Sequence, residues 1–164
     1  MSVERIQPRL QVLSSPQLSE AQLTELLEIE KVCYPPQTRY RLATIRGFLT
    51  WEGSLLTRAY ARDRLAGFQI SNLISGQLIT LDVRPEFQRM GIGSAILAKT
   101  LSVMRRRGLP LVQCEIAVHN EASIRLHERF GFQALGRIQG YYEDGSDALL
   151  MALLLPGGAR GKPR

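Results

Sequence analysis

Cysteine, histidine and tryptophan are scarce in this 164-residue chain, which has two, two and one of them respectively. Cys33 and Cys114 form no C-x-x-C pair and neither lies beside a cluster of histidines, so no disulfide framework and no metal site are expected. That cysteine usage suits a reducing cytoplasm. Long apolar runs are missing as well. The longest, Ala148 to Leu155, falls far short of the ~20 residues of a membrane-spanning helix, and Met1 to Arg9 lacks the apolar centre of a secretion signal. A soluble, unexported, cytoplasmic protein with no membrane partner is the expectation.

What is present is ordinary for a globular domain: 45% apolar residues, 22% charged, 14 Gly and 8 Pro. The length suits one core, read as a single domain over residues 1–155 followed by a flexible basic tail, 156–164. Lys plus Arg (21) exceed Asp plus Glu (15), which raises the question of nucleic acid. The distribution argues against it. Without Arg160, Lys162 and Arg164 in the tail, the net charge of +6 falls to +3. The remaining run, Arg105-Arg106-Arg107, ends a predicted helix, where cations suit the negative end of the dipole. Nucleic acid is therefore not an expected partner.

Arg9 to Leu13 alternates polar and apolar residues as a strand does, before the turn signal Ser14-Ser15-Pro16. Ser19 and Gln22 form a capping box for a helix carrying Leu23, Leu26, Leu27 and Glu30, which Pro35-Pro36 must stop. Thr44 to Leu49 predicts a shorter helix. Leu55 to Tyr60, Leu65 to Ile74 and Gln77 to Val83 read as an antiparallel meander. The pattern then alternates: a helix over Gly93 to Arg107, a strand over Leu111 to Val118 and a helix over Ala122 to Phe130 closed by Gly131. Strands near Gln133 to Gln139 and Ala148 to Leu154 flank a turn at Asp144-Gly145. The expected fold is mixed α/β, a mostly antiparallel seven-stranded sheet with a central strand-helix-strand unit and about four helices.

The segment joining the third meander strand to the long helix, Arg89-Met90-Gly91-Ile92-Gly93-Ser94, carries the chemistry. Glycines permit unusual torsions and close approach, and the first N–H groups of a helix attract anions. With the forked cation of Arg89, such a loop suits a pyrophosphate. It can equally be no more than a helix start. A dinucleotide fingerprint needs a third glycine where Ile96 stands and normally follows the first strand, yet Glu115 lies near where such a fold keeps its ribose-binding acid.

Gln88-Arg89-Met90-Gly91-Ile92-Gly93 resembles the Q/R-x-x-G-x-G/A hallmark of the GNAT superfamily of acyl-CoA-dependent N-acyltransferases. The likeness continues through Cys114-Glu115-Ile116 and the segment Asn120 to Phe132, and covers roughly residues 10 to 155. Tyr141 to Met151 is similar to the Y-Y-x-D-G-x-D-A-x-x-M stretch of protein N-terminal acetyltransferases, including the ribosomal-protein-alanine type. The resemblance implies acetyl-CoA as co-substrate. Its pantetheine arm would pair with Leu81, Asp82 and Val83 where two strands splay apart, and its pyrophosphate would lie on Arg89, Met90, Gly91, Ile92, Gly93 and Ser94. Asn120 matches the residue that bonds the arm, and would also serve as a helix N-cap.

The implied acceptor is a protein or peptide N-terminus, with a ribosomal protein foremost; the alternative is a small amine or antibiotic. Attack on a thioester requires a base, an oxyanion donor and an acid. Glu115, a carboxylate on an apolar strand, must be paired or line a cavity, and it matches the family base. A main-chain N–H near Val83 is the implied oxyanion donor. Where the family usually has a Tyr acid this chain has His127, so either a histidine donor or Tyr142 fills the role, or the protein is a silent acyl-CoA-binding module. Tyr34, Pro35 and Tyr141 correspond to loops that flank the acceptor. An α-amine near pKa 7.8 costs roughly 1 kcal/mol to neutralise at pH 7 and a lysine near 10.4 roughly 4.6, which favours an N-terminus.

Overall fold

A computed structural model describes residues 5–156. The tail expected over 156–164 lies, apart from Pro156, outside the described residues. Strand β1 (Arg9–Ser14) leads into helix α1 (Glu20–Cys33), and the capping box forms: the Gln22 N–H donates to Ser19 Oγ at 3.3 Å and the Ser19 N–H to Gln22 Oε1 at 2.9 Å. The helix stops at Tyr34, in the extended conformation that a residue before proline prefers. Helix α2 (Leu42–Thr50) follows, then the hairpin of β2 (Ser54–Ala61) and β3 (Arg64–Asn72). Its two turn residues, Arg62 and Asp63, both have positive φ (51° and 58°), the handedness that matches strand twist.

Beyond β3 the chain forms β4 (Asp82–Val83), a 3-10 turn at Pro85–Phe87, α3 (Ile92–Arg106), β5 (Leu111–Ala117), α4 (Glu121–Arg129), β6 (Gln133–Ile138) and β7 (Ala148–Leu154). Among the described residues seven strands make two antiparallel sheets, ordered β1-β2-β3-β4 and β5-β7-β6, where one sheet was expected. The reason lies between residues 77 and 83. Thr80 Oγ1 takes the Ile70 N–H at 3.0 Å, and the N–H groups of Ile79 and Thr80 converge on the single Ile70 carbonyl, so the predicted long strand is regular only at its end. The sheets touch through one parallel bridge, Gln77 to Gln113, and then part.

Three apolar clusters fix the layers. Leu23, Leu26 and Ile29 of α1 and Ile45 and Leu49 of α2 cover Leu56, Leu65, Phe68 and Ile70 on one face. On the other, Ile92 and Ile96 of α3 meet Ala59, Ala61 and Ala66. Farther along, Leu97, Leu101 and Met104 pack on Val112, Cys114 and Ile116 of β5. Helix α3 thus spans both sheets and holds the gap between them. No helix among the described residues is long and apolar enough to cross a membrane.

Candidate active site

Gly91 is the N-cap of α3, at φ 90° and ψ 0°, a left-handed conformation that side-chain-bearing residues avoid. The first intrahelical bond runs from the Ala95 N–H to the Gly91 carbonyl at 3.0 Å, so the N–H groups of Ile92, Gly93 and Ser94 have no helical partner. A Cβ added to Gly91 would meet nothing within 4 Å among the described residues, whereas one on Gly93 would rest against Leu126 at 3.4 Å and Val83 at 3.7 Å. Met90 and Ile92 anchor the loop inward on the α3 cluster, and the Met90 carbonyl takes the Ile6 N–H at 3.1 Å. Arg89, exposed at φ 62°, stands at the rim.

The Arg84 N–H donates to the Ala66 carbonyl at 2.9 Å. Antiparallel alternation then turns the main-chain groups of Val83 away from β3, toward the gap between the sheets. The Val83 carbonyl receives Cys33 Sγ–H at 3.3 Å and Gln88 Nε2 at 3.0 Å. Leu81 packs toward α3. Asp82 pairs with Phe68 and its carboxyl points to the α1 face, so the residue read for its main chain also has a buried side-chain role.

Glu115 is half-buried on β5 and hydrogen-bonded, as an isolated carboxylate on an apolar strand has to be. Gln77 Nε2 donates to its Oε2 at 2.5 Å, and Tyr141 lies near enough for that carboxylate to raise its phenol pKa. The Tyr142 hydroxyl donates to the Glu115 main-chain carbonyl at 3.4 Å, and the two tyrosine rings meet edge to face at 5.0 Å. Burial, then the neighbouring Tyr141 and Glu115, push the Tyr142 phenol up to about 12, so it stays protonated through the neutral range. The loop bearing these tyrosines is braced by Asp147, which accepts from Arg137 Nε at 2.5 Å and the Gly140 N–H at 2.9 Å. Tyr40, from the loop after α1, lies near enough to Tyr141 and Tyr142 to feel their charge. The two loops converge beside Glu115.

His127 departs from its expected place. It is 3% exposed, Nδ1 donates to the Ser123 carbonyl at 2.8 Å, and its ring edge packs on Phe132 at 5.1 Å. Burial lowers its pKa against the opposing pull of that hydrogen bond, so the imidazole is neutral at pH 7 and is not a solvated cationic donor. Asn120 caps α4 through Oδ1, accepting the Ser123 N–H at 3.2 Å and leaving its amide nitrogen to donate elsewhere. Tyr34 turns inward, toward the Asp82 carboxyl, which raises its phenol pKa, while Pro35 is exposed and its carbonyl takes the N–H groups of Thr38 and Arg39 at 3.1 Å each.

Gln77 and Tyr40 were missed, because an isolated polar residue at a strand edge and a tyrosine in a loop carry no spacing signal. Asp82 had one: a carboxylate between Leu81 and Val83 raises the same question as Glu115.

A profile described as the Acetyltransferase (GNAT) family matches residues 22–132. The chain is 33% identical over 98 residues to the [ribosomal protein bS18]-alanine N-acetyltransferase of Salmonella typhimurium, covering 57% of this chain and 66% of that protein. It is 33% identical over 86 residues to the N-alpha-acetyltransferase of Sulfurisphaera tokodaii, covering 51% and 52%. The alignments span just under two thirds of the first relative's length and about half of the second's. An uncharacterized N-acetyltransferase of Methanocaldococcus jannaschii is 30% identical, with 81% and 86% covered. In structure, the chain superposes on the ribosomal-protein-S18-alanine N-acetyltransferase of Escherichia coli with a TM-score of 0.77 and 25% identity, covering 93% and 98%.

Proposed function

The chain belongs to the GNAT acetyltransferase family, and on that premise we propose that it acetylates the α-amine of a protein N-terminus, a ribosomal protein foremost, in the cytoplasm. The observation that carries the reading is the setting of Glu115: a carboxylate held by Gln77, with Tyr141 and Tyr142 beside it, on the strand that parts from β4. The glycine loop and β4 fit acetyl-CoA, since Gly91 opens onto free space beneath unpartnered N–H groups and Val83 turns its main chain to the gap. The N–H groups of Ile92 to Ser94 and Arg89 would hold the pyrophosphate, and Leu81 to Val83 with Asn120 the pantetheine arm.

Bound acetyl-CoA supplies the thioester carbonyl. Glu115 takes the proton of the acceptor ammonium, and the Val83 N–H is the donor available to a carbonyl oxygen in the gap. The neutral amine attacks the thioester carbon. As the C–N bond forms and the C–S bond breaks, the Tyr142 hydroxyl, protonated through the neutral range, gives its proton to the departing sulfur and is reprotonated by the one the new amide nitrogen sheds. Tyr141, 48% exposed, and Pro35 border the acceptor's path, with Tyr40 behind them.

A peptide with a free N-terminal Ala or Ser is expected to be acetylated faster than the same peptide blocked at its N-terminus and carrying an internal Lys. Tandem mass spectrometry locates the label; preferential modification of the lysine, or of a small polyamine over both peptides, overturns the N-terminal reading. For the acid, Tyr142→Phe is expected to lower kcat at least tenfold with acetyl-CoA affinity kept, while His127→Phe turns over near the wild-type rate. The reverse pattern in steady-state kinetics would return the role to His127.

A further inference from the structure

Behind the acceptor loop lie two carboxyl groups without a cation in contact. Glu30, on α1, is 1% exposed and Asp82, on β4, is 2% exposed. Glu30 Oε1 accepts the Tyr40 N–H at 2.7 Å, and the Tyr34 phenol lies near enough to Asp82 for its charge to act on it. Among the described residues the remaining oxygens, Glu30 Oε2 and Asp82 Oδ2, are buried without a hydrogen-bond partner, on two elements packed against each other and close enough for each charge to act on the other. Two ionised carboxylates only accept, so neither orphaned oxygen can satisfy the other unless one of them carries a proton. We propose that Glu30 and Asp82 share one proton, and that this pair positions residues 34–41, the acceptor-side loop, against β4. The inference rests on the reading above that this loop flanks the acceptor.

Each end of the pair leads to the site. Glu30 fixes the main chain of Tyr40, which faces Tyr141 and Tyr142. Asp82 lies beside Tyr34 and directly precedes Val83. Losing the shared proton would leave two anions in a water-poor space, and the loop would have to lift to hydrate them.

Burial pushes both carboxyls up, most for Asp82, where the charge of Glu30 adds to it. The groups facing the pair are Cys33 of α1, Tyr34, Arg39 and Tyr40 of the loop, and Arg84 after β4, with Tyr141 and Tyr142 across Tyr40. The Cys33 thiol lies at about 12 and the phenols are raised, so none of these neighbours changes charge in the neutral range. Because the folded protein binds the proton more tightly than the unfolded chain, this contribution is complete below the ordinary carboxylate range and is lost as pH rises toward the folded value.

The test compares wild type, Glu30→Gln and Glu30→Ala in thermal melts from pH 6 to 9 and in kinetics with an N-terminal peptide. Glutamine donates permanently to the Asp82 carboxylate. Its Tm, relative to wild type, is expected to rise by a few degrees between pH 6 and 9. Glu30→Ala should raise acceptor KM about tenfold at little cost to acetyl-CoA affinity, and Glu30→Gln should restore it. Parallel Tm curves for wild type and Glu30→Gln, or an unchanged acceptor KM in Glu30→Ala, overturn the proposal. Should the alanine variant fail to fold, Tyr34→Phe replaces it, with an expected threefold rise in acceptor KM; no rise refutes the positioning role. A wild type inert on every free N-terminus would refute the acceptor reading instead, and the melting curves would still decide the proton pair.

Discussion

Replacing Glu115 by Gln is expected to lower kcat at pH 7 by on the order of 100-fold while leaving acetyl-CoA affinity intact. The amide keeps the shape of the carboxylate and its place beside Gln77 and Tyr141, but it takes no proton. Two parts of the loss separate by pH. An α-amine of pKa ~7.8 is about one-seventh neutral at pH 7, so the cost of neutralising it beforehand is roughly sevenfold and should be recovered by pH 9. The remainder belongs to proton transfer within the transition state and should persist. Turnover by Glu115→Gln at the wild-type rate at pH 7 would reduce Glu115 to a partly buried strand residue.

Gly91→Val is expected to weaken acetyl-CoA binding by about 100-fold or more. At φ 90° a β-branched residue is strained, and its side chain would occupy the open space over the N–H groups of Ile92 to Ser94. Charge-assisted hydrogen bonds contribute about 1.5–3 kcal/mol each, so losing two accounts for that factor. Calorimetric titration with acetyl-CoA measures it. Gly91→Ala separates the two causes: its Cβ meets no atom within 4 Å among the described residues, so backbone strain remains without the bulk, and a smaller loss is expected. Unchanged affinity in a folded valine variant would mean that the loop only starts a helix.

How legible these groups were in the sequence depended on whether a residue's role is local. The capping box of α1, the stop before Pro35 and the Asn120 cap are satisfied within three or four residues, and they stand as expected. Glu115 was legible because an ionised group on an apolar strand must find a partner wherever that strand lies. Asp82 obeys the same logic, but its partner sits 52 positions away on α1, where no spacing pattern points to it. The burial of His127 was not legible, for the converse reason. On a short polar helix a histidine reads as solvated, and only the packing of α4 against Phe132 buries it.

By itself the sequence determined the order and type of the elements, the glycine turn into α3 and the carboxylate on β5. These depend on periodicity, capping and torsional freedom, which act between near neighbours. Tertiary structure alone decided that the seven strands part into two sheets, that Gln77 reaches Glu115 across 38 positions, and that Glu30 meets Asp82. It also decided which tyrosines face the cleft. Contacts of that kind arise from how α3 spans two sheets and how a side chain at Thr80 interrupts a ladder, and no local pattern encodes the distance between residues so far apart in the chain.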